Sequence, residues 1–289
     1  MKLSRAITWL VLLSILAACS TPTLEPSLPA PTSTPVLPPS VASLTSPPEA
    51  PSPTTPPEAP SPTESSGPEG SEEAILILEP GPGSRLTNSA RVAGIADPTF
   101  EQTLVVRIVL DEGAELVVQP VTIAADIGQR GTFEGDVPFT VSEERNALIQ
   151  VYDLSARDGG IIHLASVGVI LVPEGPQEIM LGAYQPEVIV IDQPTPGDVI
   201  SGGVVHVEGF GLASFEQTLI VEVRDVEGNL VGSMPIIVDA PDWGVPGPFS
   251  ADVPYVVAAE GPGRILVIDP LPVFDGLGHI SSVDITLAP

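Results

Sequence analysis

The stretch Phe100-Glu101-Gln102-Thr103-Leu104 occurs a second time as Phe215-Glu216-Gln217-Thr218-Leu219. Further matches keep the same order on both sides of it, over about a hundred residues, which indicates a duplicated domain. The other matched segments are 80–83 with 194–197, 92–94 with 207–209, 133–139 with 249–255, and 163–167 with 279–283.

The repeated stretch and the residues after it alternate between apolar and polar side chains with a period of two. This pattern predicts a half-buried strand whose core face begins with Phe100 in the first copy and Phe215 in the second. The Glu and Gln at the entrance of this strand are present in both copies. We interpret them as structural, because such side chains can satisfy backbone groups of the neighbouring loops.

Composition limits the classes of function. The 289 residues predict two domains, and 37 acidic against 10 basic residues give a net charge of −27. Nucleic-acid binding needs a cationic surface, so this charge argues against a nucleic-acid partner. Cys19 is the single cysteine, which excludes disulfides within the chain and any metal site that needs two or more cysteines.

Residues 1–18 have the pattern of a bacterial signal peptide, with a basic start and an apolar segment shorter than a typical transmembrane helix. The segment ends in Leu16-Ala17-Ala18-Cys19, which resembles the lipobox of bacterial lipoproteins. The resemblance implies that Cys19 is acylated and becomes the mature N-terminus. We therefore expect an extracytoplasmic protein whose partner at this end is the membrane, through the lipid anchor.

Residues 19–73 comprise the lipidated cysteine and a segment built mostly from Pro, Ser, Thr, Ala and Glu. Such a composition buries too little apolar surface to offset chain entropy, so it predicts a disordered stalk. Its prolines favour extended polyproline II conformations.

From residue 74 onward the composition predicts an all-β fold. Strands are expected near 74–78, 90–96, 101–110, 115–124, 133–141, 147–154 and 162–172, with turn residues between most of them. Short strands at this spacing are typical of an immunoglobulin-like β-sandwich. The predicted domains are sandwich 1 (74–173), a linker (174–186) and sandwich 2 (187–289). The linker permits hinge motion, and Ile179, Met180, Leu181 and Tyr184 are candidates for packing between the domains.

Together the repeated turn, Val-x-Gly, Phe-Glu-Gln-Thr-Leu and Val-Pro-aromatic motifs resemble the immunoglobulin-like domain of bacterial spore germination. The resemblance covers both copies. It implies a sandwich fold in an extracytoplasmic protein and a non-catalytic role. It supplies no catalytic residues and no cofactor.

No motif of an enzyme class is present in the sequence, and we expect neither catalysis nor a cofactor. His163 and His279 occupy equivalent positions and are candidate ligands or bases, although packing or capping is the simpler interpretation. Weak calcium candidates are Asp153 with Asp158 and Asp269 with Asp275, at equivalent loops; turn formation explains the Asp-Gly pairs equally well.

The sequence therefore predicts a lipid-anchored envelope protein that presents two non-catalytic domains for binding or spacing. A cell-wall or envelope protein is the candidate partner. Two alternatives stay open: a carbohydrate-active or peptidoglycan-acting enzyme that uses paired carboxylates, and an accessory subunit of an envelope complex.

Overall fold

A computed structural model describes residues 72–274 and 276–289 of the chain. These residues form two tandem immunoglobulin-like β-sandwiches, which confirms the predicted fold class. The signal segment, Cys19, nearly all of the predicted stalk, and Asp275 lie outside the described residues. Within the described ranges, no helix is long and apolar enough to span a membrane.

Each sandwich contains eight strands. The first has β1 (Ile75–Glu79), β2 (Arg85–Thr87), β3 (Ser89–Ala96), β4 (Thr103–Leu110), β5 (Glu115–Ala124), β6 (Gly131–Pro138), β7 (Arg145–Leu154) and β8 (Ile161–Val172). The second has β9 (Ile189–Gln193), β10 (Val199–Ile200), β11 (Val204–Gly211), β12 (Thr218–Arg224), β13 (Leu230–Ile237), β14 (Gly247–Pro254), β15 (Gly261–Leu271) and β16 (Gly276–Leu287). Short 3-10 turns lie at Phe100–Gln102 and Pro272–Phe274.

The strand order is the same in both copies. One sheet of the first sandwich has the order β1-β3-β6 and the other β5-β4-β7-β8, with β2 parallel to β8 at its edge. The second sandwich repeats this order as β9-β11-β14 and β13-β12-β15-β16, with β10 parallel to β16. The copies differ in one respect: the end of β5 also pairs with β6 through Ile123 and Ala124, whereas β13 and β14 lie in separate sheets. The short strands β2 and β10 were not among the predicted strands, because two or three residues show no alternation.

The two sandwiches share a sheet. Strands β8 and β16 pair antiparallel through Leu164 and Ile280, so the larger sheets continue into one another as β5-β4-β7-β8-β16-β15-β12-β13. Leu164 and Ile280 are equivalent positions of the repeat. We call the junction of β8 and β16 the seam. Because the antiparallel contact joins equivalent positions of the repeat, the two sandwiches are related there by an approximate two-fold axis.

Side chains next to the seam follow the same two-fold relation. The hydroxyl of Ser282 donates to the carbonyl of Ile162 at 2.7 Å, and that of Ser166 donates to the carbonyl of Gly278 at 2.7 Å. A small apolar core also lies between the sandwiches, separate from the core of each one. Its buried residues are Tyr152, Leu164, Leu266, Ile268 and Ile280.

The Val-x-Gly motif marks a close approach inside each sandwich. A Cβ atom on Gly94 would lie 2.0 Å from the carbonyl oxygen of Leu76 and 2.7 Å from the ring of Phe133. Gly209 has the same surroundings in the second copy, against Val190 and Phe249. Glycine is therefore required where the first strand and a core phenylalanine meet.

The glutamine of the Glu-Gln pair at the start of β4 has the structural role predicted for it, whereas Glu101 is exposed. The side-chain amide of Gln102 is buried and donates to the carbonyls of Asp126 and Gln129 at 3.0 and 2.9 Å. In the second copy, Gln217 donates to the carbonyl of Ala240 at 3.3 Å. Each glutamine thus ties the loop before its strand to the loop that follows the next strand.

The assignment of Phe100 and Phe215 to the core is wrong. Phe100 is 63% exposed and Phe215 is 42% exposed. The reason is the backbone that follows each ring: Glu101 and Gln102 both have positive φ (56° and 53°), as do Glu216 and Gln217. This left-handed pair breaks the period-two alternation, so the core face of β4 begins at Leu104 and not at Phe100.

The linker lies along the first sandwich. The N–H of Gly81 donates to the carbonyl of Met180 at 2.7 Å, and the N–H of Gly182 donates to the carbonyl of Leu78 at 2.8 Å. The side chains that were candidates for packing between the domains are exposed instead: Ile179, Met180, Leu181 and Tyr184. Contact between the sandwiches comes from the seam, and the backbone of the linker is held to one of them.

The corrected start of β4 predicts different effects for two neighbouring substitutions. Leu104→Ala should destabilise the protein by about 2–5 kcal/mol, because Leu104 is fully buried. Phe100→Ala should change the free energy of unfolding by less than about 1 kcal/mol, because its ring is largely in solvent. Denaturant unfolding of both variants measures the difference, and equal losses would contradict this register.

Candidate functional site

Two glutamates lie at equivalent places immediately before the first strand of each sandwich. Glu73 precedes β1 and Glu187 precedes β9. An antiparallel bridge between Glu72 and Pro186 brings the two strand starts side by side at the seam. Glu73 belongs structurally to the first sandwich and not to the stalk, where the sequence division had placed it.

The two glutamates exchange hydrogen bonds with the backbone of the opposite sandwich. The N–H of Val188 donates to Glu73 Oε2 at 3.1 Å, and the N–H of Ala74 donates to Glu187 Oε2 at 2.9 Å. Each carboxylate therefore satisfies the first backbone donor of the other copy. The exchange fixes one oxygen of each carboxylate and directs the second oxygen into the seam.

His163 of β8 and His279 of β16 face these second oxygens. His163 Nε2 lies 3.2 Å from Glu73 Oε1, and His279 Nε2 lies 2.8 Å from Glu187 Oε1. The histidine rings contact each other edge to face, with centroids 5.0 Å apart. The hydroxyl of Ser281 also donates to Glu187 Oε1, at 3.0 Å. We call Glu73, His163, Glu187 and His279 the seam cluster.

The seam cluster is almost closed to solvent. The exposed fractions of its side chains are 0% for Glu73, 5% for His279, 10% for Glu187 and 14% for His163. Burial destabilises the charged form of an isolated group. A carboxylate or a charged histidine is therefore stable here only when a partner of opposite charge lies beside it.

The pKa values of two members reflect this dependence. Burial acts to lower the pKa of His163, but its hydrogen bond to Glu73 and the charge of Glu187 outweigh burial and raise it above the ordinary value. Burial acts to raise the pKa of Glu187, but its hydrogen bond with His279 and the charge of His163 lower it well below the ordinary range. The cluster therefore favours carboxylates matched by positive charge.

This arrangement has the composition of a metal centre. One nitrogen or oxygen atom from each of the four residues lies within 4.8 Å of the others. In the part of the chain that the structure describes, it is the one group of three or more His, Cys, Asp or Glu residues with this property. The near-complete burial is typical of a structural site, since catalytic metal sites keep a position open for substrate.

A second polar contact joins the two sandwiches. Arg264 of β15 is buried, and its guanidinium donates to Ser155 Oγ at 3.0 Å and lies 3.4 Å from Asp158 of the first sandwich. Arg264 also pairs with Asp284 of its own sandwich at 2.9 Å. The position equivalent to Arg264 in the first copy is Leu148, so this contact is not two-fold symmetric.

The calcium candidates have other partners in the structure. Asp158 Oδ1 accepts the N–H of Gly160 at 2.9 Å, a turn contact, in addition to its ion pair across the seam. Asp269 is buried and accepts hydrogen bonds from the N–H and hydroxyl of Ser214 at 2.8 and 2.5 Å. Asp153 is also buried, and burial raises its pKa to about 6. Asp275 lies outside the described residues.

The third histidine, His206, differs from the seam histidines in its exposure to solvent. His206 is half exposed on β11, with Nδ1 2.8 Å from Asp252 and Nε2 3.3 Å from Glu208. It thus has two carboxylate neighbours, as the seam histidines do, but on the surface. The hydrogen bonds to Asp252 and Glu208 raise the pKa of His206.

Sequence reasoning found half of the seam cluster. The repeat identified His163 and His279 as equivalent candidates, but it assigned no role to Glu73 or Glu187. A signal was present: the two glutamates are separated by 114 positions, the same offset as the Pro-x-Pro-Gly turns at 80–83 and 194–197.

The fold and the repeat define a class: tandem immunoglobulin-like sandwiches joined through their edge strands. The family described as the immunoglobulin-like domain of bacterial spore germination matches residues 74–160 and 188–270, more than half of the chain. The chain belongs to this family. All four residues of the seam cluster lie just outside the two matched segments.

Other comparisons add little. No curated protein matches the chain. Among solved structures, the crystal structure of dimeric latent PorU from Porphyromonas gingivalis is similar over 80% of this chain, at 13% identity and a TM-score of 0.28. The similarity spans 21% of that chain's length, and it carries no conclusion about function.

The burial of the seam cluster predicts how two glutamate–histidine pairs differ. In a buffer with chelator, Glu187→Ala should destabilise the protein by about 3–5 kcal/mol, because it leaves His279 and the N–H of Ala74 without their buried acceptor. Glu208→Ala, beside exposed His206, should cost less than about 1 kcal/mol. Denaturant unfolding provides the comparison. Similar losses for the two variants would show that the seam carboxylate does not stabilise the fold.

Proposed function

We propose that this chain is a lipid-anchored extracytoplasmic protein that presents two non-catalytic immunoglobulin-like domains for binding or spacing at the cell envelope. The observation that carries the proposal is the position of the single cysteine. Cys19 follows Leu16-Ala17-Ala18 directly after a short apolar segment with a basic start. Thioether and amide-linked acyl chains on one cysteine would supply the two or more chains that stable anchoring requires.

Family membership supports the non-catalytic part of the proposal. Immunoglobulin-like sandwiches place their conserved framework in the core and leave recognition to surface loops and sheet faces. In this chain the matched segments contain β1–β7 and β9–β14 with nearly all of β15, and they end before β8 and β16.

The seam supports presentation of the two domains as a unit. The sandwiches share a continuous sheet, a small apolar core and the seam cluster. A pair joined in this way offers a partner a fixed arrangement of two surfaces, in contrast to domains that move independently on a linker.

The length and composition of the segment before the sandwiches support a spacer. Residues 20–71 contain acidic residues and no basic ones, which opposes collapse and attraction to anionic lipid. At about 3.1 Å per residue in polyproline II, a segment of this length reaches on the order of 160 Å when fully extended. Such a reach would hold the sandwiches well away from a bilayer.

The anchor is tested by Cys19→Ser in the full chain. The variant should leave the membrane fraction or accumulate unprocessed, and mass spectrometry of the parent should find acyl chains on Cys19. Ser20→Ala is the matched control, because it changes the adjacent residue and keeps the thiol. Mature protein with an unmodified Cys19 would refute the anchor.

The spacer is tested by deleting residues 24–67, which keeps the sequence around Cys19 and leaves Glu72 and Glu73 with the first sandwich. Anchoring and folding should persist, while an antibody against the sandwiches should bind intact cells less well. A replacement of the same length made of Gly and Ser should restore most of the binding. Undiminished access to the shortened protein would contradict a spacing role.

Turnover of cell-wall polymer by the purified chain would contradict the non-catalytic role.

A further inference from the structure

We propose that the seam cluster is a structural zinc site in which Glu73, His163, Glu187 and His279 bind one Zn²⁺ ion between the two sandwiches. Two ligands come from each sandwich, at equivalent positions of the repeat. The ion would therefore bridge the domains. This inference rests on the described residues alone and is independent of the lipid anchor.

The spacing of the ligand atoms fits a tetrahedral ion after small shifts. Zinc bonds to imidazole nitrogen and carboxylate oxygen are about 2.1 Å long, which separates adjacent ligand atoms by roughly 3.4 Å. One ligand atom from each of the four residues lies within 4.8 Å of the others. Glu73 Oε1 lies 3.2 Å from His163 Nε2. Glu187 Oε1 lies 3.9 Å from His163 Nε2 and 2.8 Å from His279 Nε2. These distances lie on both sides of the tetrahedral value.

Charge is also compatible with a divalent cation. Two carboxylates in a region closed to water need a matching positive charge, which charged histidines supply without metal and a divalent cation would supply in their place. Among the described residues, both carboxylates have ion pairs only with the two histidines, and none with an arginine. One Zn²⁺ would neutralise the cluster with the histidines in the neutral form that binds metals.

The seam holds the carboxylates in position before any ion arrives. Glu73 Oε2 and Glu187 Oε2 are occupied by backbone N–H groups of the opposite sandwich, which leaves Oε1 of each for a single bond to the metal. Ser281 donates to Glu187 Oε1 and would orient it further. Hydrogen bonds of this kind raise metal affinity by fixing ligand orientation.

The ligand set favours zinc over the common hard cations. Calcium takes six to eight oxygen ligands, and magnesium retains several waters, so neither suits two imidazoles in a closed site. Four-coordinate geometry without an open position is typical of structural zinc, and imidazole nitrogen and carboxylate oxygen are both zinc ligands. Copper and nickel also bind imidazole, and they are competitors that the experiment must include.

The test uses the purified full chain, stripped with chelator and dialysed. Isothermal titration with ZnCl₂ should give one ion per chain. A zinc concentration of about 100 times Kd should raise the unfolding midpoint by roughly 5–10 °C. X-ray absorption of the zinc-loaded chain should show four nitrogen or oxygen neighbours at about 2.0–2.1 Å. Calcium and magnesium should give neither signal, and copper and nickel report on selectivity.

Substitutions locate the ion. His279→Ala and Glu187→Gln should each weaken zinc binding at least about hundredfold, and circular dichroism should show whether each variant is folded. Glu187→Gln retains an oxygen acceptor for the N–H of Ala74, so it keeps the test valid if His279→Ala unfolds. His206→Ala is the matched control and should bind zinc like the parent, because its histidine and two carboxylate neighbours are exposed.

Three results would overturn the proposal. They are the absence of stoichiometric zinc binding by the stripped parent, full binding by folded His279→Ala or Glu187→Gln, and loss of binding in His206→Ala. Calcium binding equal to that of zinc would also exclude the assigned metal. Each result is read without reference to Cys19, so failure of the zinc site and failure of the anchor are distinguishable.

Discussion

Two buried carboxylates stabilise the seam between the sandwiches. Glu73 and Glu187 each accept the first backbone N–H of the opposite copy, and each needs a nearby histidine to balance its charge. A buried carboxylate without these partners would destabilise the fold by several kcal/mol. Three further contacts join the sandwiches at the seam. They are the strand pairing at Leu164 and Ile280, the serine contacts and the small core between the domains.

The seam determines whether the two duplicated domains act separately or as one unit. Two immunoglobulin-like domains on a flexible linker would act as separate modules, whereas here the larger sheets continue through the seam. The family match covers most of each sandwich but neither β8 and β16 nor the seam cluster.

The sequence predicted the fold well because its signals are local. Alternation and turn residues placed the longer strands, and the repeat gave two copies. Phe100 and Phe215 were misplaced because positive φ at the two residues after each ring breaks the alternation there, and ordinary Glu and Gln give no sign of it. Half of the seam cluster was missed for a different reason. Glu73 and His163 are 90 residues apart, and their approach depends on how whole sandwiches meet.

The shared sheet has a consequence at its outer edges. Unpaired edge strands recruit strands from other molecules, which promotes aggregation, and the seam removes two such edges by pairing β8 with β16. At one end of the larger sheets lies β13, with Pro235; at the other lies β5, with Pro120 at the equivalent position, and the end of β5 is also paired with β6. Proline has no N–H to offer an incoming strand. Joining the copies edge to edge therefore extends the sheet within the molecule, while proline in β13 and both proline and the pairing with β6 at β5 limit the addition of a strand from another molecule.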